Sequence, residues 1–331
     1  MKKILKYLLI ALVVLILAIV GFYFWAKSPT LPYEQYKQEI SYKVELTTQN
    51  DSIITVMSYN IGYLSGMTNN LAVRPKREFY KENETLAIQY FSDLHPDIVG
   101  FQEIDYGSKR SYEIDQHKMI AENLYPYTAK AVNWDKRYVP FPYYPFSVHF
   151  GKIVSGQSIM SKYPIVSSER IVLEDVASQP FYYKAMYLNR LLQIATIKHP
   201  FGTIFFMNVH AEAFDQQTRA QHINFIYDKF WELAKKGPVI LVGDFNSDPT
   251  YKNSAVLKFL NDKRIGSGKI ETTEDTKGLY SYPSDSPKER LDYIFYTKSD
   301  FEIVNSKVFT DFGMISDHLP YVATLKFIKN N

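Results

Sequence analysis

Val239-Ile240-Leu241-Val242-Gly243-Asp244-Phe245-Asn246 decides how the rest of the chain reads. Four branched apolar residues between Pro238 and Gly243 are too few for a helix and describe a strand buried on both faces. The strand stops at a glycine, then presents a carboxylate and an amide two residues apart. On extended backbone, positions i and i+2 point the same way. Asp244 and Asn246 can therefore face one ligand from one strand end.

The same grammar recurs on either side. Upstream, Gln216–Ala234 sets Ala220, Ile223, Ile226, Phe230 and Leu233 on one helical face. Before it, Leu191–Ile197 and Thr203–Val209 read as strands joined by His199-Pro200-Phe201-Gly202, the second ending in His210. Downstream, Leu291–Tyr296 is a strand opened by Asp292, and Ser316-Asp317-His318 precedes a last strand, Tyr321–Phe327. Toward the N-terminus, Ile53–Tyr59 alternates, is rich in β-branched residues and ends at Asn60. Lys76–Leu94 has Phe79, Leu86, Tyr90, Phe91 and Leu94 at helical spacing and stops before His95-Pro96. Asp97–Gln102 is a short apolar strand ending at Gln102-Glu103. Residues 105–125 are expected to hold a helix, 126–150 an aromatic loop region, and Gln157–Ser161 a strand with Lys162-Tyr163-Pro164 as its turn. Acids, amides and histidines thus stand just beyond short apolar runs. A sheet gathers such residues along one edge although they are far apart in sequence, a common place for an active site. Alternating strands and helices give an α/β class.

Composition narrows the chemistry. A 46% hydrophobic and 22% charged chain can bury a sizeable core and is not a disordered one. The 27 Tyr and 22 Phe favour β-rich structure and aromatic loops. The net charge of +3 comes from the N-terminal segment: setting aside Lys2, Lys3, Lys6 and Lys27 leaves 34 basic and 35 acidic residues. A dedicated nucleic-acid binder usually shows a basic excess over its domain, and this one does not. With no cysteine there is neither a disulfide framework nor a thiolate metal site. Any metal must sit on oxygen and nitrogen donors, which points to Mg²⁺, Mn²⁺ or Ca²⁺ rather than structural zinc.

Leu8 to Trp25 is an apolar run without charge, Pro or Asn. At about 1.5 Å per residue it nearly spans a ~30 Å hydrocarbon core. Lys2, Lys3 and Lys6 precede it, and Tyr7, Tyr23 and Trp25 supply interfacial aromatics. Residues 1–27 are expected to be a single-pass anchor in the lipid bilayer. The positive-inside rule puts the N-terminus in the cytoplasm and the catalytic domain, residues 51–331, outside it. A cleaved signal peptide is the alternative. Its apolar core would be long for that role, and no small-x-small site precedes Lys27. Residues 28–50 read as a linker.

Taken in order, Asn60, Gln102-Glu103, Gly156–Pro164, Asn208-Val209-His210, Gly243-Asp244-Phe245-Asn246, Arg290-Leu291-Asp292-Tyr293 and Ser316-Asp317-His318 resemble the endonuclease/exonuclease/phosphatase superfamily over residues 53–327. Each motif alone is weak; seven in order are not. The resemblance implies a four-layer α/β/β/α sandwich of two mixed sheets with flanking helices. It implies hydrolysis of phosphoesters, phosphodiesters first among them, dependent on a divalent metal (Mg²⁺ or Mn²⁺). Glu103 would hold the metal, with Asn60 and Asp317 at the metal or its water shell. Asp244 would orient or deprotonate the attacking water, and Asn246 would donate to a phosphoryl oxygen. His318 would contact the phosphate or act in proton transfer, with Asp292 accepting from its other ring nitrogen, and His210 would donate to the phosphate. Phosphoester hydrolysis independently calls for these parts: charge neutralisation, an activated water, and donors to phosphate oxygens. Tyr163 and Arg190 are candidates for supporting roles.

The substrate stays open at this level. The anchor favours a lipid headgroup or another extracytoplasmic phosphoester, with nucleic acid second and an inactive anchored binding module third. Tyr138, Phe141, Tyr143, Tyr144, Phe146 and Phe150 could dip into a bilayer interface, stack on bases, or cover the sheet as core. Nothing in the sequence points to an obligatory protein partner.

Overall fold

The computed structural model describes residues 2–45, 52–268 and 278–328. Seven strands, β1 (Lys37–Ser41), β2 (Ile53–Asn60), β3 (Ile98–Asp105), β4 (Tyr127–Val139), β5 (Gly151–Ser161), β12 (Phe301–Val308) and β13 (Tyr321–Phe327), form one sheet in the order β1-β4-β5-β3-β2-β13-β12. The other six, β6 (Ile165–Val172), β7 (Leu191–His199), β8 (Gly202–His210), β9 (Val239–Asp244), β10 (Ile265–Gly266) and β11 (Asp292–Thr297), form a second in the order β10-β11-β9-β8-β7-β6. Both are mixed: β2 runs parallel to β3, and β8 parallel to β9, among antiparallel neighbours.

Three apolar layers hold four structural ones together. Between the sheets, Ile54, Val56, Ile98 and Ile159 meet Ile197, Phe206, Ile240, Val242 and Ile294. On the outer face of the first sheet, Met57, Val99 and Phe101 pack under α2 (Arg77–Leu94) and α3 (Gln116–Leu124) through Ala87, Phe91, Ile120 and Ala121. On the outer face of the second, Met207, Leu241 and Phe295 pack under α4 (Gln216–Ala234) and the short α5 (Leu257–Leu260) through Ile223, Ile226, Phe230 and Phe259. This is the α/β/β/α sandwich that the motif order implies.

The two sheets also touch through polar groups. Gln102 donates from Nε2 to Asn208 Oδ1 (2.6 Å), and Asn208 donates back across the gap to the carbonyl of Phe101 (3.0 Å). Gln157 and Gln193 extend the contact to the carbonyls of Asn208 and Ala129. All four side chains are fully buried. Gly100 permits the approach: a Cβ there would stand 2.4 Å from Val242 Cγ2 on the facing sheet.

Several elements differ from the sequence expectation. Residues 127–139 are not loop but the long strand β4, because β1 and β5 pair with it on either side. Pro140, Pro142 and Pro145 just beyond it mask that strand in sequence. The helix expected within residues 105–125 is present as α3, preceded by a 3-10 turn at Lys109–Ser111. The edge strands β6 and β12 are largely solvent-facing, so they carry little hydrophobic pattern to read.

The N-terminal segment forms α1 (Lys2–Ala26), long and apolar enough to cross a membrane, as a signal sequence can also be. The stretch expected as a linker is partly structured: Lys37–Ser41 is the edge strand β1. Asp135, itself buried, accepts from Thr30 N (2.8 Å), Thr30 Oγ1 (2.7 Å), Leu31 N (2.9 Å) and Tyr36 Oη (3.0 Å). Residues 46–50 of that stretch lie outside the described residues.

Gly243 adopts φ +150°, and a Cβ there would meet the Val209 carbonyl oxygen at 2.1 Å. Gly243→Ala is therefore expected to cost about 2 kcal/mol or more of unfolding free energy in urea titrations. A loss under about 0.5 kcal/mol, the range of an ordinary surface change, would show that β8 and β9 are less tightly apposed.

Candidate active site

Register brings the polar strand ends together. Asn60, the last residue of β2, lies beside Gln102 of β3. The next residue, Glu103, sits in a β-bulge of β3 opposite β5, with φ +51°. A bulge re-aims a side chain, and here it turns Glu103 to the edge, where it is only partly buried. In the second sheet, Asp244 pairs with His210 on one side and Asp292 on the other. Asn246 follows at φ +48°, a left-handed conformation that asparagine tolerates. Asp317 and His318 arrive on the turn before β13, where Ser316 Oγ donates to the Asn60 carbonyl (2.8 Å). All eight sequence candidates thus meet at one edge, four residues on three strand ends from each sheet feeding a common cleft.

Their contacts divide into two groups around Asp244. On one side, His318 Nδ1 lies 2.8 Å from Asp292 Oδ2, and its Nε2 is 3.8 Å from Asp244 Oδ2. Ser281 Oγ donates to the same Asp292 oxygen (2.6 Å). Burial alone would push the His318 pKa down, but Asp292 and Asp244 outweigh it and raise it to about 10. Burial pushes Asp244 up to about 7, opposed by the positive charge on His318. Asp244 also accepts from Asn246 N (2.8 Å) and Asn60 Nδ2 (3.0 Å). The Asn246 side chain gives one N–H to the Ala211 carbonyl (3.1 Å).

On the other side, His210 Nε2 lies 3.6 Å from Asp244 and 3.7 Å from Glu103, and the Arg190 guanidinium donates to that nitrogen. Burial, then Arg190 and His318, hold His210 well below the usual histidine range. His210 is consequently a neutral imidazole between two acids rather than their counter-ion. Arg190 in turn sits 3.5 Å from Glu212, which is buried and accepts from the Phe214 amide (2.9 Å).

Glu103 and Asp317 form the most metal-like corner. The amide of Asn69 reaches both: 3.0 Å to Glu103 Oε2 and 3.3 Å to each Asp317 oxygen. Asn60 Nδ2 lies 3.4 Å from Glu103 Oε1. Burial raises Asp317 to about 6, with the Glu103 charge adding to it against His318. Among the described residues no three His, Asp or Glu side chains converge as a complete ligand cage. The two carboxylates nevertheless fit a hard cation such as Mg²⁺, which is typically bound by one or two carboxylates and keeps several waters or substrate oxygens; both amides present nitrogen to this corner, and Asn60 Oδ1 accepts from Gly62 N (3.1 Å).

The motifs and this geometry have a counterpart among known proteins. Residues 57–318 match the Endonuclease/Exonuclease/phosphatase family. The chain belongs to that family. No curated protein matches it, but solved structures do. An endonuclease/exonuclease/phosphatase family protein from Bacteroides thetaiotaomicron superposes with TM-score 0.58 at 19% identity, covering 84% of this chain and 98% of its own. The mannosyl-6-phosphatase of the same organism gives 0.58 at 20%, covering 83% and 100%. The human Nocturnin catalytic domain gives 0.57 at 19%, covering 90% and 100%. At such identities these likenesses speak to the fold. Membership in the family makes the chain a hydrolase acting on phosphoesters.

Against this family background, sequence reading missed Asn69, Glu212 and Ser281. Asn69 carries no motif; only the paired Asn69-Asn70 turn after Gly66 marks it. Glu212 lies two residues past His210 and could have been found by the i, i+2 argument used for Asn246. Tyr163 packs in the inter-sheet core against His199 rather than at the cleft.

Asn69→Leu removes the donor shared by Glu103 and Asp317. In EDTA the variant is expected to unfold about 1–2 kcal/mol more easily than wild type, from two carboxylates left without that hydrogen bond. Excess Mg²⁺ is expected to restore most of the difference. Equal loss with and without Mg²⁺ would remove the corner from consideration as a cation site.

Proposed function

We propose that the chain is a divalent-metal-dependent hydrolase of phosphoesters, in particular phosphodiesters, anchored by α1 with residues 51–331 as its extracytoplasmic catalytic domain. The pairing of Asp244 with an Asp292-held His318, beside the Glu103–Asp317 corner, carries this reading. Glu103 and Asp317, with Asn60, would hold the ion, for which Mg²⁺ or Mn²⁺ suits the oxygen donors. Bound there, the metal supplies positive charge for a phosphoryl oxygen.

The side chains divide the remaining work. Asp244 is buried, and its carboxylate is positioned to accept a proton from a water attacking phosphorus. Asn246 and Asn60 fix its orientation through their N–H groups. His318 stays protonated at neutral pH because Asp292 takes its Nδ1 proton in a hydrogen bond, leaving Nε2–H to face a phosphoryl oxygen. His210, neutral and with Nε2 accepting from Arg190, borders the same space and would shape the phosphate cradle rather than donate to it from that nitrogen. The spare N–H of Asn246 is available to another oxygen.

The soluble substrate to try is a generic aryl phosphodiester. Turnover is expected with Mg²⁺ and not with EDTA. Asp244→Ala and His318→Ala should each lower kcat by about 10²–10⁴-fold, the usual contribution of a positioned acid or base. Asp292→Asn should also lower kcat, because it weakens the hold on the imidazolium. Full activity in EDTA, or an Asp244→Ala variant as active as wild type, would remove this reading. An extracytoplasmic nuclease remains the second reading, and plasmid DNA in the same assay separates it from the first.

A further inference from the structure

Strand direction fixes which end of the sandwich α1 leaves from. β5 runs antiparallel to both β3 and β4, so β4 runs the same way as β3, toward the active-site edge. Val132 is level with Ile104, next to Glu103, and β4 continues to Val139, past the level of Glu103. The last turn of α1 meets that projecting tip. Phe22 and Trp25 lie 5.7 and 6.2 Å, ring to ring, from Tyr138, and Tyr23 lies 6.4 Å from Phe181. The chain then turns back: Arg137 N donates to the Ser28 carbonyl, Asp135 takes Thr30 and Leu31, and β1 runs down β4 away from the edge. Only Lys27 to Pro29 separate the end of α1 from the Asp135 contacts.

The surface on that side is aromatic. Tyr144, Phe146 and Phe181 are 78%, 74% and 76% exposed, and Tyr143 and Tyr182 are exposed beside them. Other members of the 138–150 loop, Phe141 and Phe150, pack instead with Trp134 and Leu188 as a small core that supports the rim. The rim connects inward to the site. Tyr183 stacks on Tyr187 at 5.1 Å, Tyr187 Oη lies 3.5 Å from Arg190, and Arg190 contacts His210. Between this segment and Glu212, Phe214 and Asp215 opens a cavity of about 160 Å³.

We propose that the active-site edge faces the bilayer that α1 spans, with Tyr144, Phe146, Phe181 and Tyr182 seated in its interface, and that the substrate is a phosphoester in the headgroup of a lipid in that leaflet. Aromatic side chains favour the interfacial zone, where an apolar ring and a polar tip are both accommodated. Continuity with the end of α1 identifies the occupant of this surface: it is the membrane already holding the helix. The proposal rests on the hydrolase reading above and on α1 remaining attached.

The chain has no cysteine, so single cysteines report cleanly. Full-length Phe146→Cys, Tyr182→Cys and Lys236→Cys, each nitroxide-labelled, would be reconstituted in vesicles of phosphatidylethanolamine and phosphatidylglycerol. Lys236 precedes β9 and so marks the opposite edge. Labels at 146 and 182 are expected to be shielded from a water-soluble nickel chelate and open to oxygen, and the label at 236 the reverse. Equal nickel access at all three positions would overturn the orientation whatever the activity. In the same vesicles, a Phe146→Ser/Tyr182→Ser variant is expected to keep aryl phosphodiester turnover while release of lipid headgroup falls about tenfold or more through lost interfacial seating. Wild-type turnover of the aryl ester with no lipid cleavage would overturn the substrate assignment. Cleavage of neither would instead overturn the hydrolase reading, and with it the substrate.

Discussion

The contact between Gln102 and Asn208 is the constraint on which the rest of this molecule depends. Apolar faces can slide past one another with little change in buried area, but two fully buried amides cannot. Each donor left unmatched would cost on the order of 1–3 kcal/mol. The reciprocal bonds Gln102–Asn208 and Asn208–Phe101 therefore choose one relative position of the two sheets. Gln102 precedes Glu103, and Asn208 lies two residues before His210. Fixing that pair fixes the distance between the halves of the cleft.

From this follows the electrostatic design. No sheet alone holds a working set: the first brings Asn60, Glu103, Asp317 and His318, the second His210, Asp244, Asn246 and Asp292. When the sheets close, four carboxylates and two imidazoles share one small, largely buried space. The arrangement is tolerable because the charges are sorted. Asp292 and Asp244 keep His318 cationic, Arg190 and burial keep His210 neutral, and Asn69 separates Glu103 from Asp317. What remains is a negative corner and a positive imidazole on either side of Asp244, a layout matched to an anionic ester that brings or shares a cation.

Much of this was legible in the sequence for a simple reason. Buried central strands such as Val239–Val242 announce themselves by composition, and the residues that follow them are those a sheet edge collects. The order of these signals carried the fold and the membership of the cleft. Edge strands failed the same test because β6 and β12 face water. Long β4 failed because one of its pairing partners, β1, lies far upstream in a stretch that read as linker, and its prolines come just after it. Asn69 stayed hidden because its contribution depends on the distance between Glu103 and Asp317, which only tertiary structure defines. The aromatic stretch 138–150 could not be assigned as core or surface from sequence, and it is both: Phe141 and Phe150 face inward, Tyr144 and Phe146 outward.

The Asp135 clamp has a kinetic corollary. With only Lys27 to Pro29 between helix and clamp, the catalytic domain has almost no tether length with which to sample the surrounding solution. If α1 spans a membrane and the substrate is a lipid in it, as proposed, encounter with substrate becomes a search in two dimensions. In the proposed orientation the quantity that sets the rate is the mole fraction of substrate in the leaflet, not its bulk concentration. Diluting that lipid with an inert one would slow turnover even at constant total amount. A longer, unclamped linker would trade that surface-bound regime for one governed by three-dimensional diffusion.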